Sequence, residues 1–147
     1  SLQEPEKKMS KSDENLNNLI AILDNPDVIR KKVKRAVTDS GSVIRYDKSR
    51  PGISNLISMY ALLTDTSFKT VEKTFEGKMY SDFKVELGDI MTDCLAPVQK
   101  KYTEIINDKA YLESVLSKGA ENAYYRARKT LTKVYRKVGF IINKSGS

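Results

Sequence analysis

From Ser81 onward, apolar residues recur every three or four positions at Phe83, Leu87, Ile90, Cys94, Val98, Tyr102 and Ile105, which predicts a helix with one buried stripe. Pro97 falls inside that stretch. A proline there removes a backbone hydrogen bond and crowds the preceding turn, so a kink or two abutting helices are expected. The next stretch sets Leu112, Leu116, Ala120, Ala123, Ala127, Leu131, Val134 and Val138 in near-heptad rhythm, predicting a long terminal helix with a buried stripe. Its central alanines imply a close helical neighbour. Upstream, residues 16–23 read as a helix capped by Ser12 and Asp13, and Asn25-Pro26-Asp27 starts another. That second helix carries Val28, Ile29, Val33, Ala36 and Val37 on one face and Arg30, Lys31, Lys32, Lys34 and Arg35 on the other. The period breaks at Asp39-Ser40-Gly41-Ser42 and at Pro51-Gly52, with residues 43–46 briefly extended. It resumes at Ile53, Leu56, Ile57, Tyr60 and Leu63, then at Phe68, Val71 and Phe75, where Gly77 serves as a left-handed cap. The pattern gives an all-α bundle of five to seven helices.

Composition narrows the chemistry. A chain of 147 residues with 39% apolar content buries one modest core, with no internal repeat, no membrane-length apolar run and no signal-peptide stretch. The one cysteine, Cys94, lies at helical spacing from Ile90, Met91, Leu95 and Val98 and reads as an inert core thiol, with no intrachain disulfide. No histidine is present, which excludes a Ser-His-Asp triad, histidine acid–base catalysis and structural zinc; no metal site is expected in this chain.

The net charge is +7, and residues 122–147 contain Arg126, Arg128, Lys129, Lys133, Arg136, Lys137 and Lys144 without one acid. Tyr124, Tyr125 and Tyr135 are interleaved with these bases, a mixture suited to phosphate contact and base stacking. Taken singly, each residue has a plainer role: cations complement the helix dipole, and tyrosine rings pack at a core edge. As a patch they point to RNA, and the basic face at residues 30–35 is a second surface of the same kind.

Near the start stands Glu6-Lys7-Lys8-Met9-Ser10-Lys11-Ser12-Asp13, followed by Arg35-Ala36-Val37-Thr38-Asp39-Ser40, Ile44-Arg45-Tyr46-Asp47 and Pro51-Gly52-Ile53-Ser54-Asn55-Leu56. A lone Lys/Ser run is most often a solvated stretch. With the three downstream segments in order and spacing, the chain from about Pro5 to about Gly139 resembles the C-terminal portion of bacterial tryptophanyl-tRNA synthetases, which are class I aminoacyl-tRNA synthetases. The resemblance identifies Lys8, Met9, Ser10, Lys11 and Ser12 as the KMSKS loop.

What such a loop does follows from its residue types. Amino-acid activation expels pyrophosphate, and negative charge builds on the oxygens between the α- and β-phosphates as the bond breaks. Lys8 and Lys11 supply mobile ammonium groups to that charge, Ser10 and Ser12 add hydroxyls, and the N-terminus of the helix at 16–23 adds favourable potential. The resemblance further implies a parent enzyme that joins tryptophan to tryptophan tRNA with ATP and Mg2+, is homodimeric through its catalytic domains, and is cytoplasmic. It divides the chain into a loop arm at 1–14, a helical tRNA-binding domain at 15–143 that holds the anticodon arm, and a flexible tail or cloning remainder at 144–147.

The second class I signature, HIGH, needs two histidines, and the tryptophan pocket has no counterpart here. The resemblance therefore implies a fragment that begins inside its parent and lacks the Rossmann-type catalytic domain, is inactive alone, and leaves residues 1–12 poorly held. A C-terminal fragment of a tyrosyl-tRNA synthetase, a stand-alone basic helical nucleic-acid-binding module and a helical protein-interaction domain are the rival readings. The Val37-Thr38-Asp39-Ser40 and Pro51-Gly52-Ile53-Ser54-Asn55-Leu56 pair speaks for the tryptophan enzyme.

Overall fold

Asn25 accepts a hydrogen bond from the Asp27 N–H at 3.1 Å and Pro26 opens the first turn, so α1 begins where the sequence places it and runs Pro26–Arg35. In the computed structural model, which describes residues 1–141, four more α-helices follow: α2 (Pro51–Thr64), α3 (Phe68–Thr74), α4 (Tyr80–Asn107) and α5 (Lys109–Val138). A three-residue 3-10 turn at Leu16–Asn18 precedes them, and no strand occurs among the described residues. The all-α expectation holds. Lys144 and the tail at 144–147 lie outside the described residues, as do 142 and 143.

The chain divides into two compact units, Ser1–Lys100 and Lys101–Ser147. The first owns the hydrophobic core. Ile29 and Val33 of α1, Ile53, Leu56, Ile57 and Tyr60 of α2, Val71 of α3 and Phe83 and Leu87 of α4 are buried together with Leu2, Ala36, Ile44, Ala61 and Phe75. Phe75 packs edge-on against Tyr60 at 5.2 Å and against Phe83 at 4.8 Å between ring centroids, a geometry that aligns ring edges with ring faces. The Tyr60 hydroxyl donates to Glu86 at 2.7 Å, and burial, with that bond, pushes its pKa up to about 12.

Gly52 is required for contact rather than for conformation. A Cβ there would stand 2.7 Å from the Val37 carbonyl oxygen and 3.0 Å from the Thr38 Cα, both of them backbone atoms. Gly52→Ala is therefore expected to cost about 1–3 kcal/mol, as overpacking does when the neighbour cannot yield, read from urea midpoints. A neutral result would show that the 37–38 segment shifts freely.

Several expectations are corrected. Residues 16–23 form no α-helix, and Leu16, Ile22 and Leu23 are exposed. The turn at Leu16–Asn18 is capped by Asn15, whose side chain accepts from the Asn17 N–H, so Ser12 and Asp13 cap no helix and residues 16–23 supply no α-helix N-terminus to the loop. The first residues are not loose. Leu2 is 1% exposed, its N–H donates to the Asn18 carbonyl at 3.0 Å, and its carbonyl accepts from Val37 at 2.9 Å. The Asn55 amide donates to the Ser1 carbonyl at 3.1 Å. Cys94 is exposed rather than a core thiol, beside Met91 and Leu95 at the edge of an apolar groove. α4 passes through Pro97 as one helix, not two.

In the second unit, α5 starts at Asp108, whose carboxylate accepts from the Tyr111 N–H at 3.0 Å. It ends at Gly139 with φ +76, and the Phe140 N–H donates to the Tyr135 carbonyl while the two rings meet at 5.8 Å, a left-handed terminus with its hydrophobic contact. The predicted buried stripe is not buried. No residue of α5 is buried, and Leu116 and Leu131 are 70% and 47% exposed. On α4, Val98 and Tyr102 are exposed as well. Periodicity marks an amphipathic face; burial also requires something packed on it.

Candidate functional site

Lys8, Ser10, Lys11 and Ser12 are all exposed, and Met9 alone turns inward, where it packs at the edge of the core. The loop is pinned on both flanks while its cations stay in solvent. Before it lie the anchors at Ser1 and Leu2; after it, Asp13 accepts from the Asn15 N–H and from the Asn18 amide at 2.9 Å each. Those bonds, the Asn18 one foremost, hold the Asp13 carboxyl below the ordinary carboxylate range. Ser10 and Ser12 place their hydroxyl oxygens 3.1 Å apart. Among the described residues, neither Lys8 nor Lys11 forms an ion pair, whereas the adjacent Lys7 is paired with Glu4. Two unpaired ammonium groups beside two hydroxyls form a donor set of the kind that phosphate oxygens accept from.

The downstream segments are bonded to one another and touch the arm at Val37–Leu2, Arg35–Gln3 and Asn55–Ser1. The Arg50 side chain grips both Asp39 oxygens, at 3.1 Å through Nε and 3.0 Å through an η nitrogen, and also donates to the Tyr80 hydroxyl and the Val43 carbonyl. Tyr80 in turn donates to Asp39 at 3.0 Å. Lys84 caps the Ala36 carbonyl at 2.7 Å and the Thr38 hydroxyl at 3.1 Å, and burial lowers its pKa. Ser54 both donates to the Asp47 carbonyl at 2.7 Å and accepts from the Asp47 N–H at 2.9 Å. Segment 36–40 is thus a clamped backbone, joined to Leu2 by the Val37 bond. Lys84, Arg50 and Tyr80 carried no sequence signal. They become visible only when residues far apart in the chain are brought together.

Arg50, aided by the Gly41 N–H and the Tyr80 hydroxyl, lowers the Asp39 pKa from 3.8 to about 2. A depressed carboxylate pKa contributes stability that is present above about pH 4 and is lost as pH falls through about 2. Asp39→Asn should therefore be less stable than the parent chain at neutral pH, with the gap closing between pH 4 and pH 2 in urea titrations. A gap independent of pH would remove the ion pair as its cause.

On α5, Arg128, Lys129, Lys133 and Arg136 line one shallow groove of about 360 Å³ with Tyr125 and Thr132, positions three and four apart on a single helical face. Tyr124 is coupled to it, its hydroxyl accepting from Arg128 at 2.5 Å and its ring lying 5.6 Å beneath the guanidinium. Arg126 and Lys137 do not line this groove. The other basic surface is occupied in part: Arg30 pairs with Asp89 at 2.7 Å and with Asp27, and Lys32 is buried against Asp24 at 2.7 Å, while Lys31, Lys34 and Arg35 stay exposed. Lys32 therefore belongs to the inner face of α1, not to the basic one. Among the described residues, no group of three or more His, Cys, Asp and Glu could hold a metal, and no helix is long and apolar enough to cross a membrane.

Three comparisons agree with this arrangement. The family described as tRNA synthetases class I (W and Y) matches residues 1–96. The tryptophan–tRNA ligase of Clostridium acetobutylicum is 47% identical over 97% of this chain, and those of Clostridium tetani and Clostridium perfringens are 43% and 46% identical over 97% and 95%. The chain spans 42% of the length of each of these relatives. The crystal structure of tryptophanyl-tRNA synthetase from Mycoplasma pneumoniae superposes on 96% of the chain and 45% of its own, with a TM-score of 0.68 at 32% identity. With its loop, its clamped segment and α1–α3 all inside the matched region, the chain belongs to the class I tRNA synthetase family of the tryptophan and tyrosine enzymes.

Proposed function

We propose that the chain is the KMSKS-bearing, tRNA-contacting portion of a tryptophan–tRNA ligase, with residues 1–14 as the loop arm and the helical remainder as the tRNA-binding part. The observation that carries this is the loop itself: Lys8 and Lys11 are solvent-facing and unpaired among the described residues, on a segment fixed at both flanks. In the whole enzyme ATP is a substrate, and Lys8 and Lys11 donate to the phosphate oxygens that gain charge as pyrophosphate leaves, while Ser10 and Ser12 orient hydrogen bonds to the same group. Mg2+ accompanies the phosphates of ATP, and no residue of this chain is assigned to it. Tryptophan tRNA is the macromolecular partner, and the enzyme is a cytoplasmic homodimer through the domain that this chain does not include.

The groove on α5 supports the RNA half of the reading, and salt dependence tests it. The chain is expected to bind tryptophan tRNA weakly, with log affinity falling linearly against log salt by roughly 0.7 to 0.9 per phosphate contacted. Replacing Arg128, Lys129 and Lys133 together with alanine should flatten that slope by about 2 while helicity by circular dichroism stays unchanged, since none of the three is buried. An unchanged slope would move the contact off α5. By itself the chain is expected to show no tryptophan-dependent exchange of pyrophosphate into ATP.

A further inference from the structure

We propose that Asn18 is a positioning residue for the KMSKS loop: its buried side chain ties the segment entering the loop to the segment leaving it, and so presents Lys8 and Lys11 to ATP. The inference rests on the catalytic reading of the loop above and names the residue through which the fold holds it. Asn18 is 4% exposed, and its amide nitrogen donates in two directions, to Glu4 before the loop at 3.4 Å and to Asp13 after it at 2.9 Å. The Asp13 bond is the shorter and the stronger. The side-chain oxygen of Asn18 accepts from the Asn15 amide at 3.4 Å, and its backbone carbonyl accepts the Leu2 N–H at 3.0 Å. One residue thus closes the neck of the loop at residues 5–12.

The neck is seated in the body of the protein while the loop it carries is not. Leu2, bonded to Asn18, and Leu19, next to it in the chain, are both buried. Lys8, Ser10, Lys11 and Ser12 are all exposed. A hydrogen bond made by a buried amide is strengthened by its low-dielectric surroundings, and breaking it leaves a donor without water to replace its partner. Asn18 is therefore where the conformation of the loop is coupled to the packed part of the fold.

The residue type suits the task. Glu4 and Asp13 present acceptors only, so the group between them must donate; a carboxylate there would add a third negative charge, and an apolar side chain would bond to neither. Asp13 has its two oxygens taken by neutral donors, the Asn15 N–H and the Asn18 amide, both at 2.9 Å. The acid that follows the loop is thereby satisfied without a cation from it, and Lys8 and Lys11 stay unpaired among the described residues. Tying the two ends together also removes conformations of the segment between them. The ammonium groups then meet the departing pyrophosphate with less to reorder.

The test measures single-turnover adenylate formation by the full-length ligase. Asn18→Ala should lower the rate constant about ten- to a hundred-fold, the scale of a misplaced catalytic group, and change tryptophan affinity less than about two-fold. Asp13→Ala breaks the same bond from its less buried end and should slow the reaction in the same way, so it decides the matter if Asn18→Ala does not fold. In a background of Lys8→Ala with Lys11→Ala, either change should cost less than about two-fold more, because the groups it positions are gone. Losses that multiply in full with those of the lysine variants would reduce Asn18 to holding the fold and overturn the proposal. An unchanged rate in Asn18→Ala or, if that variant does not fold, in Asp13→Ala, while the lysine variants are slow, would overturn it and leave the catalytic reading intact. Full rate in the lysine variants would overturn that reading together with the proposal.

Discussion

Lys11→Ala, made in the full-length ligase to which this chain is assigned, is expected to slow tryptophan activation about a hundred-fold or more, the usual effect of removing one charged donor from a transition state. The position of Lys11 makes the effect specific. Its ammonium is exposed and engages no carboxylate among the described residues, so its removal breaks no contact that holds the fold. On the proposed role, the charge it meets develops only as pyrophosphate departs, and tryptophan affinity should therefore change little while the rate falls. Pre-steady-state adenylate formation separates the two. A variant that keeps its rate and loses tryptophan binding would contradict the role.

The second large effect is structural. Phe83→Ala should cost about 3–5 kcal/mol, because Phe83 is fully buried between Phe75 and Tyr60 and its loss leaves a cavity bounded by rigid rings. Leu116→Ala on α5 should cost less than about 0.5 kcal/mol, the scale of surface substitutions. Urea unfolding of the two variants reads both values. Comparable losses would mean that α5 shares the core, against its exposure in the structure.

The contrast between those two helices shows where sequence reading succeeded and where it stopped. Helix type was legible because the 3.6-residue period and Asn25-Pro26 act locally; Gly77 has the expected positive φ, but α3 is already capped at Phe75, two residues before it. Burial was legible for Phe83 and Leu87 but not for Leu116 or Cys94, since burial depends on what covers a face and the face alone carries no record of it. The KMSKS loop was readable from five consecutive residues taken together with three downstream segments, whereas the clamp on segment 36–40 was not. Asp39, Arg50, Tyr80 and Lys84 come from three parts of the chain, and their bonds exist only once α2 and α4 are in place. Leu2 gave no more signal than any apolar residue near a terminus, yet it is among the most buried side chains. The helix expected at residues 16–23 failed for a local reason: Asn15, Asn17 and Asn18 spend their side chains on turn bonds, which compete with helix propagation.

Amino-acid-dependent exchange of labelled pyrophosphate into ATP, run on the purified full-length gene product with tryptophan and tyrosine in parallel, tests the central claim most directly. The account predicts exchange that depends on tryptophan, stays at background with tyrosine, and collapses in the Lys8→Ala and Lys11→Ala variants. Exchange driven by tyrosine, or tryptophan-driven exchange that survives loss of both lysines, would contradict it.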